Sequence, residues 1–149
     1  MTKIKLPNSK RGIDLLNSLD KRLSGKTSVK VGLPKDSNAY PNGESVVDVG
    51  FIHEFGEPTV NIPERSFLRS TLFENQKAYH KLAIKLTKRI VKFPRMTITD
   101  ALGTIGEKFK GDVQYKISSG INPPLKSRDG TPLYDTGHLV QSITYKVDD

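Results

Sequence analysis

Apolar residues recur along this chain at two different spacings, one typical of helices and the other of strands. Intervals of three or four residues, which place side chains on one face of a helix, run through residues 12–24, 66–92 and 98–119. Gly25 follows the first of these segments and Gly120 follows the third, and glycine at such positions favours the end of a helix. The first segment carries Ile13, Leu16, Leu19 and Leu23. The third carries the most regular stripe, formed by Leu102, Ile105, Phe109, Val113 and Ile117.

Two further signals mark helix ends. Thr97, with Asp100 three residues later, resembles a capping box before the third segment. Phe93 precedes Pro94 and is expected to end the second segment, because the residue before a proline avoids helical backbone angles.

Residues 45–55 fit both a helix and a strand, because their valines and phenylalanines lie near both spacings. Ser45 with Asp48 three residues later can cap the start of a helix, and Gly56 can end one. These end signals favour a short helix. Its apolar residues at helical spacing are Val47, Phe51 and Phe55.

Two segments alternate between apolar and polar residues and are predicted to be half-buried strands, residues 27–33 and 143–147. A short helical turn at residues 138–142 precedes the second strand. Residues 1–11 are polar and basic, which predicts a flexible arm. We therefore predict one α+β domain over residues 1–149, with a small antiparallel sheet packed against two long helices and shorter helices.

Composition adds a constraint on the core. A chain of 149 residues suits one compact domain, but only 35% of its residues are hydrophobic, which is low for a globular protein. We expect a thin core and surfaces that a partner completes. The chain has no cysteine, which excludes disulfides and thiolate chemistry, and no apolar segment of transmembrane length. It is predicted to be soluble and made in the cytoplasm.

Catalytic and metal-binding patterns are weak. Asp135, His138 and Ser142 are the residue types of a hydrolytic triad, but they lie within eight positions of one another and lack the turn motif that exposes a nucleophile. His53 begins a pattern similar to the HExxH zinc helix, yet Glu57 stands where the second histidine is needed. We therefore expect no enzymatic activity, no metal and no cofactor.

A short glycine pattern lies inside the third helical segment. Gly103 and Gly106 match the GxxG that clamps nucleotides in one RNA-binding module, although such short patterns are common by chance. Each glycine costs a helix about 1 kcal/mol relative to alanine. We interpret them, with Gly111, as places where a second backbone approaches closely, within the fold or across a subunit interface.

The net charge of +8 is concentrated on one predicted helical face, here called the lysine face. No acidic residue occurs between Asn75 and Thr99 to offset it. Such a face is either solvated or meets DNA or an acidic neighbour. Without aromatic residues for base stacking, contact with DNA would be through phosphates and without sequence preference. The lysine face consists of Lys77, Lys81, Lys85, Lys88 and Lys92.

Three segments carry a resemblance to a known family. They are residues 50–56 (GFIHEFG), 62–71 (IPERSFLRST) and 132–143 (PLYDTGHLVQSI). In this order, over about two thirds of the chain, they resemble the tail-completion, or virion morphogenesis, proteins of tailed bacteriophages. In the second segment, we expect Phe67 and Leu68 to anchor a helix while the two arginines stay outside.

The resemblance implies a structural virion protein that completes the tail and joins it to the head at the neck. Such a protein assembles as a ring with copies of itself, contacts neighbouring neck and tail-tube proteins, and surrounds a channel through which the genomic DNA passes. The alternative is a nonspecific DNA-binding protein that acts through the lysine face. The positions expected to shape the subunit interface are Arg65, Phe67, Arg69, Asp135, Thr136 and Gly137.

Overall fold

The computed structural model describes residues 9–25, 28–37, 39–124 and 137–148, and within them it confirms the α+β class. Two helices are long, as predicted, and a single 3₁₀ turn, Pro58–Val60, lies between the second and third helices. The described elements in chain order are α1 (Ser9–Leu23), β1 (Ser28–Gly32), α2 (Val46–Phe55), α3 (Leu68–Lys92), α4 (Ile98–Ser118), α5 (His138–Ser142) and β2 (Thr144–Asp148).

The sheet consists of β1 and β2, which pair antiparallel with Val29 opposite Val147 and Val31 opposite Tyr145. Helix α4 lies at the centre of the fold, because it packs against both strands as well as against α3 and α5. The larger buried cluster joins α4 to the start of α3, to α5 and to the residue before β2. Its members are Phe67, Val113, Ile117, Ile121, Val140 and Ile143.

Several predicted helix ends are confirmed. Thr97 and Asp100 form a full capping box at the start of α4, in which the side chain of each accepts a hydrogen bond from the other's backbone amide. Helix α3 ends before Phe93, the residue that precedes a proline, and Gly120 follows α4 with a positive φ of 97°. These ends depend on local backbone chemistry, so a single sequence is enough to find them.

Within the described chain, the close approach predicted in α4 is found at Gly106, through side chains and not through a second backbone, and it is not found at Gly111. A Cβ added to Gly106 would lie 2.5 Å from the ring of Tyr145 and 2.7 Å from a methyl group of Val29. The neighbour is therefore the sheet of the same chain, and it approaches with side chains. No atom lies within 4 Å of a Cβ added to Gly111, because that side of α4 faces solvent.

Two predictions about the first half of the chain need correction. Helix α1 begins at Ser9, so residues 9–11 of the predicted flexible arm are helical, while residues 1–8 lie outside the described part. In α2 the buried row is Val46, Gly50 and Glu54, one position away from the row with the two phenylalanines. The sequence pattern misled because the most apolar row of α2 faces outward and a glutamate faces inward.

Helix α1 is anchored to the rest of the fold near its end. Arg22 is buried, and its guanidinium donates to the backbone oxygens of Ile90 and, at 3.0 Å, Phe93, which lie at the end of α3. A cation is favourable there, because the last carbonyls of a helix have no partners within the helix. The predicted apolar face of α1 does not enter the core: Ile13 is 56% exposed and Leu16 65%.

Among the described helices, none is both long enough and apolar enough to cross a membrane.

Candidate interaction site

The start of α3 is organised by a carboxylate from another helix. Glu54 of α2 is 4% exposed, and its oxygens accept hydrogen bonds from the amides of Phe67 (2.7 Å), Leu68 (2.9 Å) and Arg69 (3.0 Å). The hydroxyl of Ser66 donates to the same carboxylate at 2.7 Å. The first amides of a helix have no partners within the helix, and the N-cap of α3 supplies no side-chain bond. Glu54 therefore caps α3 from outside that helix.

The environment of Glu54 keeps it ionised. Burial alone would raise the pKa of its carboxyl group, but the hydrogen bonds from the first turn of α3 outweigh burial and lower the pKa below the ordinary value of 4.5. The positive end of the α3 dipole also favours a negative charge at this position. Near neutral pH Glu54 is therefore a buried carboxylate, and both of its oxygens accept hydrogen bonds from the start of α3.

Arg69 covers this carboxylate on the solvent side. Its Nε donates to Glu54 at 3.0 Å, and its Nη2 donates to the backbone oxygen of Glu54 at 2.8 Å and to the carboxylate of Glu64 at 2.9 Å. The guanidinium also lies 4.3 Å from the ring centre of Phe55. Its side chain is 53% exposed, as predicted, so it can contact a partner.

The prediction that Arg65 stays outside is wrong. Arg65 is 6% exposed, and its guanidinium donates to the backbone oxygens of Pro123 at 2.7 Å and Pro124 at 3.3 Å. Its amide donates to the backbone oxygen of His53 at 2.7 Å. Arg65 can be buried because the two carbonyl oxygens after α4 accept hydrogen bonds from its guanidinium in place of water. It fastens the α2–α3 connection to the segment that follows α4.

His53 lies beside this arginine. Burial and then the charge of Arg65 lower the pKa of its imidazole, so it is neutral near pH 7. Its Nδ1 is buried and has no hydrogen-bond partner among the described residues. The imidazole of His53 is thus a packed side chain of the α2–α3 connection.

Phe67 joins the second sequence segment to the third. It is fully buried in the same cluster as Val140 and Ile143, which confirms its predicted role as an anchor and keeps it from contacting a partner directly. Gly137 precedes α5 with a φ of 70°, a left-handed backbone angle that favours glycine. The predicted positions Asp135 and Thr136 lie outside the described residues.

The outer side of α2 presents two adjacent aromatic rings. Phe51 is 63% exposed and Phe55 49%, and their ring centres lie 4.7 Å apart. Together with Arg69 they form what is here called the α2 surface. Exposed aromatic residues beside an arginine are typical of protein interfaces. The sequence contained the signal as two phenylalanines four residues apart, but only the burial of Glu54 shows which way they face.

The lysine face is exposed on α3, and no salt bridge joins any of its five lysines to a carboxylate of the described residues. Beside it on the same helix lie Phe73, Ile84 and Val91, which are 78%, 45% and 55% exposed. This apolar row was missed in the sequence, because its members are separated by seven or more residues. The outer side of α3 is thus both basic and partly apolar.

Within the described ranges, no group of three or more histidines and carboxylates is placed to hold a metal ion. Ser142 donates its hydroxyl to the backbone oxygen of His138 at 2.9 Å, as part of one helical turn. In comparisons with known proteins, no family model, no curated protein and no solved structure matches this chain.

Proposed function

We propose that this protein is a structural virion component that completes the tail and joins it to the head at the neck of a tailed bacteriophage. The observation that supports the proposal is the convergence of the three segments that carry the family resemblance. Glu54 of the first caps the helix begun by the second, and Phe67 of the second packs with Val140 and Ile143 of the third. They form one connected unit, as residues that jointly define a scaffold would.

The exposed surfaces also favour assembly over turnover. Large apolar side chains are exposed on α1, on α2 and on the outer side of α3, including Leu16, Phe51 and Phe73. Apolar residues that cluster on the surface, rather than being scattered, mark contacts with partners. With 35% hydrophobic residues, the chain places a notable share of its apolar side chains outside the core. A ring subunit with neighbours on two sides would cover them.

Disruption of this gene in the source phage tests the proposal. We expect electron microscopy of the lysate to show filled heads beside separate tails of finished length, because the joint between them is missing. Expression of the intact gene from a plasmid should restore joined particles. Normal joined virions in the disrupted phage would remove the neck function.

The lysine face supports a second candidate, a nonspecific DNA-binding protein. The five lysines span 16 residues of α3, so that the first and last are separated by about 22 Å of helix, a length comparable to the spacing of several phosphates. No salt bridge within the described residues neutralises them, so their charge is directed toward solvent or a partner. DNA in the channel of a ring and free duplex DNA would both be bound through phosphates.

We expect replacement of Lys81, Lys85 and Lys88 by glutamine to weaken binding to duplex DNA of any sequence. If each lysine neutralises one phosphate, the log–log dependence of affinity on salt becomes shallower by roughly 3. Fluorescence anisotropy with labelled duplexes at several salt concentrations measures both quantities. The matched control replaces the same number of lysines on α4, where each pairs with a carboxylate, at Lys108, Lys110 and Lys116.

The control variant should bind DNA with nearly the affinity and salt dependence of the wild type, because its lysines are already paired. Equal losses in both variants would indicate a general effect of net charge. Binding that is unchanged in the variant of the lysine face would exclude DNA as the partner of that face.

A further inference from the structure

Helix α1 is strongly amphipathic, yet its apolar side is left uncovered within the described chain. Leu15, Leu16 and Leu23 are 58%, 65% and 39% exposed, and Leu19 is half-buried between them. On a helix these four leucines share one side, here called the α1 stripe. Arg22 anchors α1 to the end of α3 from a neighbouring side of the helix. The stripe is thus held in place with its leucines outward, ready to contact a partner.

The α2 surface is the matching feature at the other end of α3. Glu54 holds α2 at the start of α3, near residue 68, whereas Arg22 holds α1 near residue 90. These attachment points are separated by 22 residues of helix, or about 33 Å. Each apolar surface is therefore exposed separately on the same molecule, at opposite ends of its longest helix.

The charges around the two surfaces are opposite. Helix α1 carries four basic and two acidic side chains, and its lysines and Arg11 form no salt bridge with a carboxylate of the described residues. In the α2 surface the charge of Arg69 is offset by Glu54 and Glu64, with which it pairs. The rest of residues 36–64 adds four carboxylates and no lysine or arginine. Among them, Asp48 is exposed and lies one helical turn before Phe51. Opposite charges steer two surfaces together and disfavour wrong partners.

We infer that the α1 stripe of one copy packs on the α2 surface of the next copy. The leucines supply an apolar helix face and the paired phenylalanines supply aromatic anchors, which together resemble the way an amphipathic helix binds an apolar surface. Pairing α1 with α1 would bring like charges together. The contact joins two different surfaces, so a dimer still has an unoccupied α1 stripe on one copy and an unoccupied α2 surface on the other. Further copies can therefore add, which produces a ring or a filament. This inference rests on the proposed function as a ring subunit.

Cross-linking between differently labelled copies tests the contact, because the chain has no cysteine of its own. One preparation carries Leu16→Cys and the other carries Phe51→Cys, and the two are mixed with a short bismaleimide reagent. We expect a cross-linked heterodimer in at least tenfold higher yield than from either preparation alone. The control pairs Leu16→Cys with Tyr115→Cys, a site on α4 that is 73% exposed and lies outside both surfaces.

Three results would overturn the inference. The first is a yield of the Leu16→Cys/Phe51→Cys heterodimer no higher than that of the Tyr115→Cys control. The second is efficient cross-linking of Leu16→Cys with itself. The third is preferential cross-linking of Leu16→Cys to an Ile84→Cys preparation. The second would indicate pairing of α1 with α1, and the third would place α1 on the apolar row of α3. All of these positions are exposed, so circular dichroism should show unchanged helix content in each variant.

A second pair of variants tests propagation. Leu16→Asp and Phe51→Asp should each fail to assemble alone, while their equimolar mixture should form a heterodimer and stop there, because it retains one intact contact. Light scattering at matched concentrations measures this. A mixture that stays monomeric while the wild type assembles would overturn the contact.

The inferred contact and the proposed function fail separately. If no specific cross-link forms but the disrupted phage yields unjoined heads and tails, the neck function is supported and the inferred contact is wrong. If the specific cross-link forms but the disrupted phage still yields joined virions, the inferred contact is supported and the neck function is wrong.

Discussion

Replacing Glu54 by alanine is expected to lower the free energy of unfolding by about 2–3 kcal/mol, because it removes a helix cap and a buried acceptor that several donors share. The change leaves the first amides of α3, the Ser66 hydroxyl and the guanidinium of Arg69 without their shared acceptor. Urea denaturation followed by circular dichroism measures the loss. The matched control is Glu64→Ala, because Glu64 also pairs with Arg69 but is exposed.

The control should cost no more than about 1 kcal/mol, as exposed ion pairs do. Equal losses at the two positions would mean that the buried cap adds nothing beyond an ordinary surface pair. The Glu54 variant should also weaken the inferred contact between copies, because the same carboxylate positions α2 and its two phenylalanines relative to α3.

The contribution of Glu54 should depend on pH in a defined direction. Its pKa in the folded protein is lowered below 4.5, so the unfolded chain takes up the proton more readily. The stabilisation is therefore fully present above about pH 4.5 and is lost as the pH falls through the folded pKa. The difference in the free energy of unfolding between wild type and Glu54→Gln should become smaller as the pH falls below about 4.5 and should stay constant from pH 6 to 8.

Two glycines of α4 should respond to alanine in opposite directions. Gly106→Ala is expected to destabilise the fold by about 1–3 kcal/mol, because the new methyl group would collide with the ring of Tyr145 and with Val29. Gly111 has open space around it, so Gly111→Ala should stabilise the fold by about 0.5–1 kcal/mol, the usual gain inside a helix. Both substitutions improve helix propensity equally, so the difference between them isolates packing against the sheet.

Thermal unfolding of both variants measures this difference. A stabilised Gly106→Ala protein would mean that α4 and the sheet can move apart at little cost, and the described packing would be wrong. Similar destabilisation at Gly111 would instead indicate a neighbour on that side of α4, such as another copy of the chain in solution.

Features that depend on neighbours in the sequence were predictable. The capping box at Thr97, the end of α3 before Pro94 and the stop at Gly120 follow from backbone sterics and from hydrogen bonds across a few residues. The apolar stripe of α4 was regular enough to place Val113 and Ile117 in the core. Alternation alone located β1 and β2, and the structure confirms the antiparallel pairing that was predicted for them.

The candidate site was only partly predictable, because its decisive residues break the usual rules. Glu54 and Arg65 are charged and buried, while Phe51 is apolar and exposed. A charged side chain enters the interior only when fixed partners replace water, and those partners lie at positions 66–69 and 123–124. No local pattern reveals such partners. The sequence motifs therefore indicated that these segments matter, but the prediction that both arginines face outward is right for Arg69 and wrong for Arg65.

By itself, the sequence determined the α+β class, the order and ends of most elements, and the position of the basic charge along α3, because periodicity, caps and charge are local properties. The tertiary structure decided which sides of α1 and α2 remain uncovered, which arginine is buried, and that Glu54 connects two helices. Those outcomes depend on which distant groups meet. Contacts between residues far apart in the chain set burial, and burial sets which surfaces are left for a partner.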